Sequence, residues 1–282
     1  MIMKRKSLIG VALLSGLTAC AGGGGGELEL LTYNVAGLPE GLSSSHPAEF
    51  TPQISPKLNG YDLVLVQEDF WYHQQLAAAT THPHRSRPMW PEPELQQLGD
   101  GLNRFSHSAF DDHRRSTWSA CHGALDAGSD CLTSKGFASA WHRFGANAAA
   151  GVLVVNLHLD AGSADGDQQA RREQVEQLIA ALDARAADRA LIVAGDTNLK
   201  PERADRPLDA ASFDRLLAAT GLRDSCRTLD CPEESIDRVL FRSGAEVQLT
   251  PLRWSRPPEF VTEQGEDLSD HRPVAVLFSW AR

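Results

Sequence analysis

The sequence predicts an α+β protein of two packed sheets with helices laid outside them. Three observations carry that expectation. Short apolar runs of strand length outnumber helical segments along the 282 residues. Several of these runs close on a carboxylate, amide or imidazole side chain. Neither an internal repeat nor a second-domain linker interrupts them, so one large domain is expected. The stretch ALIVAGDTN, residues 190–198, shows the pattern most clearly. Leu191, Ile192, Val193 and Ala194 form a continuous apolar run of the kind covered on both faces of a sheet. The run stops at Gly195, with Asp196, Thr197 and Asn198 behind it. Chain polarity puts those polar groups at a strand's carboxyl end, where open α/β sheets tend to carry their sites. Taken alone, strand-Gly-Asp is also an ordinary turn.

The amino terminus stands apart from this fold. Lys4, Arg5 and Lys6 precede an apolar stretch over residues 8–17. About ten apolar residues are too few to span a bilayer, so a signal peptide is expected over residues 1–19. It ends in Leu17-Thr18-Ala19-Cys20, which resembles a bacterial lipobox with Cys20 as the lipidated first residue of the mature chain. An ordinary secretory signal with an incidental cysteine is the alternative. Ala21 and the glycines from Gly22 to Gly26 read as a flexible tether, leaving 27–282 as the folded domain. The expected location is that of an exported lipoprotein, anchored at the outer membrane and facing the periplasm or the cell exterior. Lys and Arg number 27 and Asp and Glu 37; without Lys4, Arg5 and Lys6 the balance is 24 against 37, or −13. That acidity weighs against a nucleic-acid partner, because counterion release on DNA or RNA rewards basic surfaces. It suits carboxylates gathered round a cation.

Within the domain, residues 28–35 (LELLTYNV) form a first strand ending near Asn34. Residues 51–59 make a short helix stopped by Gly60. Residues 62–67 (DLVLVQ) form a second strand with Glu68 at its end, and 72–79 a short helix. Residues 80–100, rich in proline and histidine, have no period and read as an irregular surface segment of the kind that often belongs to a substrate site. Met89 and Trp90 are too few there to mark a membrane contact. Strands are expected at 101–107, 115–120, 137–144 and 150–157, the last within GVLVVNLHLD, which carries Asn156, His158 and Asp160. Val175, Leu178, Ile179 and Leu182 recur at helical spacing within 168–187. A further helix over 210–219 stops at Gly221, and 236–242, 246–252 and 273–279 read as closing strands. Cys121 with Cys131 and Cys226 with Cys231 fall in two close pairs, and export permits two short-loop disulfides. A four-thiolate zinc site is the rival; none of its spacings is Cys-x2-Cys, and oxidation would defeat it.

The polar residues that follow or close these runs are Asn34, Glu68, His158, Asp196, Asn198, Asp237, Asp270 and His271, set in YNV, LVQE, NLHLD, GDTN, SIDRVL and SDHRPV. In this order and setting the chain resembles the endonuclease/exonuclease/phosphatase superfamily, whose members include DNase I-like nucleases, neutral and bacterial sphingomyelinases and inositol-polyphosphate phosphatases. The resemblance covers essentially the whole mature chain. It implies a four-layer α/β/β/α sandwich of two mixed sheets and a metal-dependent phosphodiesterase. It further implies Glu68 as a ligand of Mg2+ (Mn2+ or Ca2+ being alternatives), Asn34 at the same metal–phosphate position and Asp270 assisting at the metal. His271 would be the general base, oriented by Asp237. Asp196 would contact the metal or the attacking water, Asn198 would donate to a phosphoryl oxygen, and His158 would assist the leaving group. The acid and base roles of the two histidines interchange among members. The chemistry agrees: phosphodiester hydrolysis needs charge neutralisation, an activated water and a protonated leaving group, and a hard cation takes oxygen donors.

Each residue alone has a plainer reading. His158 is then a satisfied core histidine, Asp237 a surface ion pair with Arg238, and Asn34 a turn cap. The remaining histidines, His82 and His84 among them, keep that plainer reading. Asp130-x4-Lys135-Gly136 resembles the Asp/Lys-Gly segment of neutral sphingomyelinase-like members, where Lys135 would act as a point charge on the phosphate; an exposed loop pair is the alternative. With the lipid tether and the acidity, this segment favours a phospholipid or sphingomyelin-type substrate met by its head group. An extracellular nuclease is the runner-up, followed by a phosphomonoesterase and a non-catalytic binding lipoprotein. Against the lipid substrate, no exposed aromatic hairpin of the kind secreted sphingomyelinases use for membrane entry is evident. The chain departs from the pattern in two ways: Arg238 stands where many relatives place an aromatic, and His158 has no identifiable carboxylate partner. A monomer is expected.

Overall fold

The apolar runs pair into two six-stranded sheets in a computed structural model that describes residues 24–89, 98–123, 130–145, 150–232 and 235–282. Along the chain come β1 (Gly25–Asn34), α1 (Pro47–Lys57), β2 (Leu63–Gln67), α2 (His73–Ala78), β3 (His84–Arg85) and β4 (Asn103–Ser106). β5 (Phe110–Thr117), β6 (Gly136–Phe144), β7 (Ala150–His158), α3 (Asp165–Ala186), β8 (Leu191–Asp196) and α4 (Pro207–Thr220) follow. The chain closes with β9 (Arg223–Asp224), α5 (Ser225–Thr228), β10 (Asp237–Arg242), β11 (Gln248–Ser255) and β12 (Val274–Ala281). The first sheet runs β11-β12-β1-β2-β4-β3 and the second β5-β6-β7-β8-β10-β9. Both are mixed: β1–β2 and β7–β8 are parallel, and their neighbours antiparallel.

Alternation along each strand sends one set of side chains between the sheets and the other toward the helices. Leu28, Leu30, Leu65 and Phe278 of the first sheet meet Val152, Val154, Ile192 and Phe241 of the second. Outside, α1 covers the first sheet through Phe50 and Ile54 against Leu31, Tyr33 and Val64. On the second, Val175, Leu178 and Leu182 of α3 and Leu216 of α4 cover Leu153, Val155 and Val193. The strands are therefore apolar on both faces, which is why they read as continuous runs. This is the expected four-layer α/β/β/α sandwich.

Polar ties cross the layer between the sheets. Asn156 of β7 donates its amide to the carbonyls of Val66 (2.8 Å) and Asn103 (3.1 Å), and Gln67 donates to Asn156 Oδ1 at 2.7 Å. Arg104 of β4, fully buried, donates to the carbonyl of Ala138 at 2.7 Å and faces His142 Nε2 at 3.2 Å. Burial pushes the Arg104 guanidinium down to about 9. Burial, and then the facing Arg104, hold His142 well below the usual imidazole range. Outside the second sheet, Arg171 of α3 and Asp209 of α4 pair at 2.9 Å, both side chains 0% exposed. The same guanidinium also donates to the carbonyls of Asp160, Ala161 and Gly162, so the loop after β7 hangs on it. Asp209→Ala is expected to lower the unfolding free energy in urea by about 3–5 kcal/mol, because it strands a buried guanidinium without its carboxylate.

Several boundaries differ from the sequence reading. β1 begins at Gly25, so the last two glycines read as tether are paired: Gly25 with Ala281 and Gly26 with Trp280. The strand expected at 115–120 lies earlier, at Phe110–Thr117; this edge strand is polar and bulged between Asp111 and Arg114, which blurs its alternation. The segment after residue 80 is less superficial than its composition suggests. His82 is buried, with Nε2 2.8 Å from the carbonyl of Tyr61, and His84 and Arg85 form β3. The two disulfides pair as expected, Cys121–Cys131 and Cys226–Cys231. Cys20 and Trp90 lie outside the described residues.

Candidate active site

The strands that close on polar residues all do so at one end of the sandwich, because of how they are registered. In the parallel β7–β8 pair His158 stands opposite Asp196, and in the antiparallel β8–β10 pair Asp196 stands opposite Asp237. In the first sheet β1 and β2 run parallel to Asn34 and Gln67, with Glu68 next in the chain. β12 enters antiparallel to β1, its first residue Val274 opposite Thr32, so His271 is delivered to the same end. Ser269 fixes that delivery: its hydroxyl donates to the carbonyl of Asn34 at 2.7 Å and accepts from the amide of His271 at 3.2 Å.

Sharp turns aim the side chains. Glu68 and Asn198 both hold left-handed backbone, φ 56° and 48°. Asn198 is stabilised there by its amide N–H on Asp196 Oδ1 at 3.0 Å, a local Asx turn. Gly195, φ 140°, lies so close to β7 that a Cβ would stand 2.0 Å from the carbonyl oxygen of Leu157. Gly195→Ala is therefore expected to cost roughly 3 kcal/mol or more, read as a lowered midpoint in urea together with loss of activity through the displaced Asp196.

Asp196 Oδ2 is the hub. It accepts from Asn34 Nδ2 at 3.2 Å, lies 3.2 Å from His158 Nε2 and lies 3.7 Å from His271 Nε2. Asn34 Nδ2 also reaches Glu68 Oε1 at 3.1 Å, so one amide joins the two carboxylates. His271 Nδ1 is 2.9 Å from Asp237 Oδ2. Burial opposes the charge on His271, yet Asp237 and Asp196 outweigh it and raise the imidazole to about 10. Burial also opposes the charge on Asp196, but His158, His271 and Lys135 hold it below the usual carboxylate range. Lys135, buried just before β6, contributes its positive charge to that effect.

The donor set fits a hard divalent cation. Three carboxylates, Glu68, Asp196 and Asp237, face one end of the fold with imidazole as the nearby nitrogen donor. Asp237 Oδ1 is buried without a hydrogen-bond partner. Such a buried oxygen calls for a bound ion or water. Asp196, Asp237 and His271 each bring one ligand atom within 4.8 Å of the others. Within this cluster the His271 imidazole and the Asp237 carboxylate already pair at 2.9 Å, whereas Glu68 is tied only through the Asn34 amide.

The structure brings Asn34, Glu68, His158, Asp196, Asn198, Asp237 and His271 together. Asp270 is exposed and accepts from the hydroxyls of Ser44 and Ser269, and its charge contributes to raising His271. Asn34 Oδ1 accepts from the amide of Ala36, so its nitrogen and not its oxygen faces the carboxylates. Arg238 does not pair with its neighbour Asp237; it binds Asp224 at 2.8 Å and Glu202 at 3.0 Å. Asp130 sits on a single helical turn beside Cys131, and its side chain lies outside the described residues. The carboxylate partner that the sequence did not reveal for His158 is Asp196 itself. Also unforeseen is Trp118, whose indole N–H donates to the carbonyl of His158 at 2.7 Å. The Ser269 of Ser-Asp-His was the one legible signal among the supporting groups.

The model of the Endonuclease/Exonuclease/phosphatase family matches residues 31–271. A Mycobacterium bovis protein named sphingomyelinase is 31% identical over 90% of this chain and 53% of its own length. The chain thus spans about half the length of the curated relatives it matches. Among solved structures, sphingomyelinase C from Streptomyces griseocarneus superposes with a TM-score of 0.64 at 23% identity, over 89% of this chain and 99% of that one. A Staphylococcus aureus beta toxin variant with bound magnesium ions superposes at 0.63 and 15% identity, over 89% and 99%. These likenesses establish the fold.

Proposed function

Because the chain belongs to the endonuclease/exonuclease/phosphatase family, we propose that it is a divalent-cation-dependent phosphodiesterase acting on a phospholipid of the sphingomyelin type. One observation carries the reading: Asp196 stands between His158 and His271 beside the joined Asn34–Glu68 pair. Glu68 would hold Mg2+, which when bound neutralises charge on the phosphoryl oxygens. His271, held by Asp237, takes a proton from the water that attacks phosphorus. Asp196 keeps that imidazole and His158 on either side of one carboxylate oxygen. His158 returns a proton to the leaving alkoxide as its bond to phosphorus breaks. Asn198 donates one amide N–H to the carbonyl of Leu159 at 3.2 Å, which leaves its second for a phosphoryl oxygen. Lys135 adds a positive charge to the same group.

The sphingomyelin preference is supported by the name of the 31%-identical relatives and by a net charge of −10, which disfavours nucleic acid. We read Cys20 as the lipid anchor of an exported protein and the working unit as a monomer. The test uses a soluble form beginning at Gly24, since Gly25 and Gly26 belong to β1. Sphingomyelin in detergent micelles, bis-p-nitrophenyl phosphate and plasmid DNA are offered with Mg2+. Sphingomyelin hydrolysis abolished by EDTA and by His271→Ala is the expected result. Cleavage of DNA alone would replace the lipid reading with the nuclease.

A further inference from the structure

The domain holds its amino terminus and its active-site mouth at opposite ends, and we infer that the chain, anchored through Cys20, acts outward on a lipid surface other than the one that holds it. The inference rests on the readings of Cys20 as lipidated and of the substrate as a phospholipid.

β1 sets the geometry. It runs unbroken from Gly25 to Asn34, paired with β12 from Gly25↔Ala281 to Thr32↔Val274. Nine steps of strand make about 30 Å. Asn34 stands at the site, whereas the Gly25 end lies beside Trp280 and Ala281. That far end is closed by the amide of Arg282 on the carbonyl of Gly24 at 3.1 Å. The chain from Cys20 to Gly24 is four residue steps, about 14 Å at full extension. For the mouth to meet the bilayer that carries Cys20, the domain must turn over and the tether must run the length of β1. Its reach is about half of that. Peeling Gly25 and Gly26 from β12 would add only about 7 Å.

The two ends also differ in chemistry. Leu42, 73% exposed, and Trp71, 63% exposed, lie on the loops that leave Asn34 and Glu68. These loops are tied together by the amide of Trp71 on the carbonyl of Gly37 at 3.0 Å. A recess of about 350 Å³ lined by Phe70, Tyr72 and Leu98 opens beside Trp71. The tethered end instead exposes Glu27, Asp62 and His107. An amphipathic Trp at the mouth suits a headgroup–acyl boundary, and the protein's net negative charge suits zwitterionic phosphocholine headgroups better than anionic lipid.

The test places the full-length protein, its lipid on Cys20 verified by intact mass, in phosphatidylcholine vesicles. Sphingomyelin is supplied either in the same vesicles or in a separate, protein-free population. Hydrolysis in the separate vesicles is expected to exceed that in the same vesicles by about tenfold or more. Inserting a forty-residue Gly/Ser segment between Gly23 and Gly24, with a mean span of about 35 Å, should bring the two rates within about twofold. Trp71→Glu should reduce hydrolysis of the separate vesicles and leave turnover of bis-p-nitrophenyl phosphate unchanged. Equal or faster hydrolysis in the same vesicles with the native tether overturns the inference, as does an unmodified Cys20. No hydrolysis of micellar sphingomyelin would instead remove the phospholipid reading beneath it.

Discussion

Replacing His271 by alanine lowers kcat/KM for a phosphodiester by about 10²–10⁴-fold, the contribution of a positioned general base. The imidazole is held from both sides, by Asp237 at 2.9 Å and by Asp196 at 3.7 Å. Its titration gives a second readout. In protein freed of metal by EDTA, the His271 resonance should titrate far above the ordinary 6.5, near pH 10, and Asp237→Asn should bring it down. The sign for stability follows. A folded-state value above the unfolded one means that the imidazolium stabilises the fold fully below about pH 6.5. That contribution is lost as pH rises through about 10. Urea unfolding in EDTA should therefore show wild type losing stability relative to His271→Ala across that window; parallel curves would remove the charged pair from the account. A cation held by Glu68, as proposed, would oppose a second positive charge on the imidazole and favour its neutral form.

Glu68→Gln weakens Mg2+ binding by about 100-fold or more, beyond the 10–100-fold typical of groups that merely support a ligand. The substitution keeps shape and still offers Asn34 an acceptor, so the fold should survive with its urea midpoint unchanged. Calorimetric titration of Mg2+ into the variant measures the loss directly, and activity should return in part at high Mg2+. Unaltered affinity would move the cation to the Asp196–Asp237–His271 cluster, whose ligand atoms also lie close together.

The architecture and the catalytic end were largely legible because both rest on chain-local signals. A strand buried on both faces must be apolar throughout, so the polar residue that ends it stands out, as at Asn34, Glu68 and Asp196. What the sequence withheld was pairing across the fold. His158 and Asp196 are 38 positions apart and meet only through the β7–β8 register. Likewise Asp270, expected to assist at the metal, accepts from Ser44, 226 positions away in the chain. β5 was misplaced because an edge strand exposes both its faces in part and carries a bulge, which together erase the two-residue period.

The centre is divided between the two sheets. Asn34, Glu68 and His271 are carried by the first, and His158, Asp196 and Asp237 by the second. Beneath them, Gln67 and Asn156 lock the layers one residue behind Glu68 and two behind His158. The arrangement works like a vernier. A slip of one residue along the strands, about 3.3 Å, would part every cross-sheet contact at once, and the amide ties allow only whole steps. Alignment of the two halves is thereby all-or-none, and the outer loops can change length without altering it.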